Sequence, residues 1–176
     1  MPTIFTHVAI PVAAALALGS SRVPTSMLLA GMVAAIAPDF DGIAYQFGWR
    51  PDGMWGHRGF THTLLFAALL GLLGLWLAKW WKVPRLAGFA WLALCCLSHP
   101  LLDMMTSGGS GMALLWPLSS ERFFSPWRPI AVSPILADRF FSQRGVQVLI
   151  SELYNVWFPL LTIGLSIFAL RHTRKS

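Results

Sequence analysis

Charge is what this sequence has least of. Only 11% of its 176 residues are Asp, Glu, Lys or Arg, less than half the ~25% share of an ordinary soluble domain. With 56% of the chain hydrophobic and a mean hydropathy of +0.62, there is more apolar surface than a domain of this length can hide, and the excess must face lipid. A soluble globular protein is thereby excluded. Several spans and their loops use nearly all of the chain, which leaves no room for a separate soluble catalytic domain. Any chemistry has to sit in the helices or the loops that join them. Cysteine is nearly absent too. Cys95 and Cys96 are neighbours inside an apolar run, where they cannot form a relaxed disulfide with each other, and they read as packing residues. Thiolate metal chemistry is excluded with them. No Lys or Arg precedes the first apolar run, which argues against a cleaved secretion signal.

What is present is a series of apolar segments, 4–19, 24–37, 63–81, 86–103 and 146–170. They predict an all-α, polytopic membrane helical bundle of about five spans, forming one integral membrane domain over 1–176. The first two segments are short against the ~20 residues of a full span, so the second is tilted, re-entrant or continued by the loop after it. Residues 106–145 hold GGSG and the Pro- and Trp-rich WPLSSERFFSPWRPI, which predict a structured surface loop before the last span. The net charge of +6 does not point to nucleic acid, because the cations collect at span ends rather than among stacking aromatics. Arg22, Lys79, Lys82, Arg85, Arg171, Arg174 and Lys175 fall in three short segments on one side. Arg50, Arg58, Arg122, Arg128, Arg139 and Arg144 are spread through two long loops on the other. The positive-inside rule weights the short segments, so the amino terminus is expected outside and the carboxy terminus in the cytoplasm.

The ionisable residues fall on this map in one place. His7 lies at the mouth of the first segment and Asp39 and Asp41 (PDFD) follow the second. His57, Arg58 and His62 (HRGFTHT) precede the third, and His99 and Asp103 (SHPLLD) lie near the end of the fourth. All belong to the same membrane face. An acid at mid-span costs about 2.5–3.5 kcal/mol on insertion scales, and Arg58 is the main nearby cation, so several carboxylates need another source of compensation. A bound divalent ion supplies it. On a helix His99 and Asp103, four apart, project from one side and can hold one ion or bridge two, although Pro100 puts the helical register in question. The spacing of His57 and His62 across Gly59 places His57 in a loop and His62 in the first helical turn. A mixture of imidazole and carboxylate favours zinc, with manganese or iron as alternatives, over calcium. Ser98 next to His99 does not make a nucleophile and base, because adjacent helical residues point about 100° apart.

PDFD, HRGFTHT and SHPLLDMMTSGG, in that order after an early His, resemble the YdjM-like family of LexA-regulated, membrane-bound metal-dependent hydrolases. The resemblance covers about residues 1 to 130. The order is also similar to the metal framework of zinc-dependent phospholipase C. The resemblance implies that His7, Asp39, His62, His99 and Asp103 are ligands, with Asp103 bridging two ions, in a bacterial inner membrane protein. The late His, His and Glu group of the soluble enzymes has no counterpart here, which implies one or two ions rather than three.

The leading expectation is therefore a hydrolase that cleaves a phosphoester of a lipid or lipid-linked substrate by metal-activated water on the outer, periplasmic face. Asp41 or His57 would orient ligands or act as general base, and Arg58 would stabilise charge on phosphoryl oxygens. Two other functions fit the same residues: a divalent-cation transporter, and a non-enzymatic membrane or regulatory protein in which a polar cluster fastens the helices. The expected partners are membrane lipids and the lipid-linked substrate.

Overall fold

The computed structural model describes residues 1–48, 53–134 and 140–173. Arg50, Arg139, Arg174 and Lys175, counted above for orientation, lie outside the described residues, as does the 135–139 stretch of the long loop. Among the described residues every regular element is helical, with no strand and only two isolated bridges, Thr106 to Ile130 and Met112 to Phe123. The helices are α1 (Ala9–Leu18), α2 (Thr25–Ile36), the single turn α3 (Ile43–Gln46), α4 (Leu64–Trp81), α5 (Arg85–Met104), α6 (Gln143–Glu152) and α7 (Phe158–Thr173). A π-helical segment, Leu153–Trp157, makes α6 and α7 one continuous rod.

Three of these elements are long and apolar enough to cross a membrane: Leu64–Trp81, Arg85–Met104 and Gln143–Thr173. Segments three and four of the sequence lie within one residue of these bounds, and the fifth extends three residues further at each end. The first two are shorter, and proline accounts for it. Pro11 has no N–H to offer the His7 carbonyl, so α1 starts at Ala9 and Thr6–Val8 form a 3₁₀ turn instead. Pro38 likewise has no N–H to offer the Ala34 carbonyl, and α2 gives way after Ile36 to a 3₁₀ turn over Ala37–Gly42. Pro100, by contrast, sits inside α5 without ending it, so His99 and Asp103 keep their spacing of one helical turn.

The longest contact is the antiparallel pair of α4 and α5, joined by residues 82–84 alone. Glycine permits the approach: a Cβ on Gly74 would sit 2.2 Å from the Gly88 carbonyl oxygen, the small-residue seam that draws helices together where lipid removes the hydrophobic drive. Helix α5 then packs on α2, and α1 on α7. Trp91 of α5 donates its indole N–H to the Met27 carbonyl of α2 at 2.7 Å. The buried core is made of Val23, Met27, Trp81, Trp91, Leu92 and both cysteines. Many of the remaining large apolar side chains, Leu72, Leu94, Tyr154 and Phe158 among them, are exposed, as lipid-facing residues should be. In the described part of the long loop Met112 and Ala113 are fully buried, and Ile130 packs against the helices in a second cluster with Ala9, Leu102 and Val156.

Candidate metal centre

Four elements end at one place. His7 comes from the 3₁₀ turn before α1, and Asp39 from the 3₁₀ turn after α2. His62 comes from the 3₁₀ turn before α4, and His99 and Asp103 from the last turns of α5. His7, His62, His99 and Asp103 are 0% exposed, and Asp39 is 6% exposed. His62 thus lies one residue ahead of the α4 N-cap rather than in the first turn of that helix: Thr63 is the cap, its hydroxyl accepting from the Phe66 N–H at 3.1 Å.

The distances between these side chains describe a small polar chamber. His7 Nε2 is 3.8 Å from Asp39 Oδ2 and 3.7 Å from Asp103 Oδ1. His99 Nε2 is 3.3 Å from Asp39 Oδ1, and His62 Nε2 is 3.9 Å from Asp103 Oδ2. None of these atoms is hydrogen-bonded. Both ring nitrogens of His7, Nε2 of His62 and of His99, and all four carboxylate oxygens of Asp39 and Asp103 are buried without a hydrogen-bond partner. Orphaned polar atoms ordinarily cost about 1–3 kcal/mol each, more when charged, and a native fold does not gather eight of them in one spot without something to satisfy them. The donor set suits a divalent cation. A tetrahedron with ~2.1 Å bonds has ligand atoms about 3.4 Å apart, which is close to the separations here. Two separate triads can be drawn, His7 with His99 and Asp103, and Asp39 with His57 and His62, the candidate ligand atoms of each lying within 4.8 Å of one another.

An outer layer holds the imidazoles in place. His99 Nδ1 is 2.8 Å from the Ala35 carbonyl oxygen. A carbonyl only accepts, so Nδ1 carries the proton and Nε2 presents its lone pair to the chamber. Asp41 does the same for His57, whose Nδ1 is 2.7 Å from Oδ1, while His62 Nδ1 lies 3.0 Å from the Thr61 hydroxyl and 3.3 Å from Asp41 Oδ2. The Thr61 hydroxyl donates to Asp41 Oδ2 at 2.7 Å. Burial pushes the Asp41 carboxyl up, but the bonds from His57 and His62 outweigh it and hold the group well below the usual carboxylate range. Burial lowers the affinity of His62 for a second proton, only partly offset by Asp41, which keeps the ring in the neutral form that ligates metals.

Arg58 takes a different position from the one expected of an anion-binding fork. It is 3% exposed, and its Nε lies 3.4 Å from Asp103 Oδ2. The two Nη atoms donate to the Gly108 carbonyl at 3.1 Å and to the Thr106 hydroxyl at 3.3 Å. Its guanidinium neutralises part of the Asp103 charge and ties α5 to the loop beyond it. The fit is tight, since a Cβ on Gly109, whose φ is +104°, would lie 1.8 Å from Nη1. Ser98, as expected, is not paired with His99: its hydroxyl donates to the Cys95 carbonyl.

Glu152, which the sequence reading passed over, is 1% exposed. It accepts from the Thr3 N–H at 2.5 Å, the Thr3 hydroxyl at 2.6 Å and the Thr6 hydroxyl at 2.7 Å. It thereby pins the turn that carries His7. The signal for it was available, because an acid within an apolar segment calls for a partner, and Glu152 is the only acid in 146–170.

A helical membrane protein with a buried histidine and aspartate chamber at one end is thus the class that fold and geometry define. The chain belongs to the family described as YdjM inner membrane protein, which matches residues 1–174. It is 42% identical over 167 residues to the inner membrane protein YbcI of Escherichia coli, covering 94% of this chain and 96% of that one. To the inner membrane protein YdjM of the same organism it is 46% identical over 63 residues, 35% of this chain and 31% of the other. YdjM of Shigella flexneri matches to the same extent. No solved structure matches the chain.

Proposed function

We propose that the protein is a membrane-embedded, metal-dependent hydrolase acting on a phosphoester of a lipid or lipid-linked substrate. The observation that carries this reading is the chamber of eight buried polar atoms without a hydrogen-bond partner lying against an apolar cavity. Asp39 is shared by both. The cavity has a volume of about 370 Å³ and is otherwise walled largely by apolar side chains, among them Ile4, Phe5, Ile43, Phe140 and Phe141. A polar head at the chamber and an apolar tail in the cavity describe a substrate that stays anchored in the bilayer.

His7, Asp39, His62, His99 and Asp103 would hold one or two divalent ions, with zinc the best match to the donor set. The chemistry such a cofactor supplies when bound is Lewis-acid polarisation of the ester and acidification of water. Asp41 orients His62 and His57 through their Nδ1 atoms, and His57, half-buried at the edge of the cluster, is placed to take up a proton. Arg58 fixes Asp103 and offsets its charge. The apolar segments α1 and α2, shorter than a straight span, complete about five membrane-embedded segments. Arg22, Lys82 and Arg85 lie at the turns opposite the chamber, and Arg171 joins them there by donating to the Ala17 carbonyl at 2.6 Å. That asymmetry supports a cytoplasmic carboxy terminus with the chamber on the periplasmic side.

The test is to purify the protein, measure bound metal by elemental analysis, and assay phospholipid and polyprenyl-phosphate hydrolysis with and without a chelator. Chelator-sensitive release of a phosphorylated headgroup or of phosphate supports the reading. Stoichiometric metal with no turnover on any ester would sink it.

A further inference from the structure

The end of the molecule away from the chamber has its own cavity. It lies between α1, α2 and α5 and measures about 660 Å³. Ile10, Ala14, Met27 and Leu94 are among the side chains that line it. Trp91 faces it too, but the indole N–H is already bonded to Met27, so the wall offers little polarity. At its mouth stand Arg22, from the α1–α2 turn, and Lys82, from the α4–α5 turn. Both are exposed, as is Arg85 in the first turn of α5. The seven acids of the chain are Asp39, Asp41, Asp52, Asp103, Glu121, Asp138 and Glu152. None belongs to the turns at this end, and among the described residues none pairs with Arg22, Lys82 or Arg85.

We infer that this groove binds one anionic phospholipid, its acyl chain in the cavity and its phosphate between Arg22 and Lys82. Depth supports the assignment. The cavity follows α5 from Pro84 to Cys95, about 16 Å at ~1.5 Å per residue, which is half of the ~30 Å hydrocarbon core. A groove one leaflet deep, apolar along its length and doubly cationic at its rim matches a lipid of that leaflet in shape and charge. A partner helix would have to bring acids to the rim as well as fill the cavity, whereas an anionic lipid offers both in one molecule and is the usual occupant of basic pockets between membrane helices. The site is separate from the chamber and does not depend on any hydrolytic activity.

Native mass spectrometry of the detergent-purified full chain tests it, with phosphatidylglycerol or phosphatidylcholine of identical acyl chains as the probe. The expected result is a retained one-to-one phosphatidylglycerol adduct, weakened about fivefold by Arg22→Ala and again by Lys82→Ala, with phosphatidylcholine binding unaffected. Ala87→Trp, at an exposed position on the groove wall, is expected to weaken both lipids. Arg22→Gln and Lys82→Gln keep the bulk of the side chains and should reproduce the alanine results. Thermal melting in phosphatidylcholine nanodiscs should be unchanged in all of them. Equal retention of the two lipids, or a double variant that keeps the preference for phosphatidylglycerol, overturns the proposal.

Discussion

His7 and His99 lie ring upon ring, their centroids 3.6 Å apart and their planes 12° from parallel. One belongs to the turn that opens α1 and the other to the end of α5, and each points an unbonded Nε2 at a carboxylate of the chamber. A face-to-face pair of fully buried imidazoles is a poor device for holding helices together. It is a good one for presenting two lone pairs to a shared cation.

Metal removal should therefore lower stability. A chelator is expected to shift the melting temperature of the purified protein downward, by an amount equivalent to about 2.7 kcal/mol if the ion is present at 100 times its dissociation constant. His99→Ala or Asp103→Ala should abolish the shift and deplete bound metal on elemental analysis. A chelator that leaves wild-type melting untouched would favour a purely structural polar cluster.

Asp41→Asn keeps the size of the side chain but replaces one accepting oxygen with a donor facing the Nδ1 atoms of His57 and His62. Because Asp41 acts through the imidazoles, the expected loss is about 10–100-fold in metal affinity, with little change in the apo melting temperature. Competition titration with a chromogenic chelator reads it. Asp41→Glu should recover part of the loss if orientation rather than folding is at stake.

Gly109→Ala meets two obstacles at once, a φ of +104° and the Arg58 guanidinium 1.8 Å from the new Cβ. A destabilisation of about 1–3 kcal/mol is expected, measured by thermal or denaturant unfolding. Arg58→Lys combined with Gly109→Ala should cost less than the sum of the two singles, because the shorter cation head relieves the clash.

Glu152→Gln removes one of the acceptors shared by Thr3 and Thr6 and places an amide donor among donors. About 1–3 kcal/mol of stability should go with it. Since Thr6 precedes His7, metal affinity is expected to fall in parallel. Unchanged metal binding in a destabilised variant would separate the anchor from the chamber.

The sequence announced α4, α5 and the last helix because long charge-free runs leave few alternatives. It also placed the residues of the chamber at one face, since alternating spans return every second boundary to the same side. Two kinds of information were out of reach. The 3₁₀ turns carrying His7 and Asp39 depend on how prolines interrupt a helix that hydropathy alone would extend, and the one carrying His62 on Thr63 serving as the cap of α4. The division of labour among Asp41, His57 and Arg58 depends on tertiary distances: spacing could nominate all three, but only coordinates distinguish a carboxylate that orients two imidazoles from a guanidinium spent on Asp103 and a loop carbonyl. Thr61 became a partner of Asp41 for the same reason.

The Gly74 and Gly88 seam has a consequence for biogenesis. With a three-residue connection and a backbone-to-backbone contact, α4 and α5 can enter the bilayer together as a prepaired hairpin, bringing His62, His99 and Asp103 into proximity before the rest of the molecule closes. His7 and Asp39 must be delivered by a different hairpin. An ion captured at that moment would act as a clasp between two insertion units, and its arrival would mark the completion of membrane assembly.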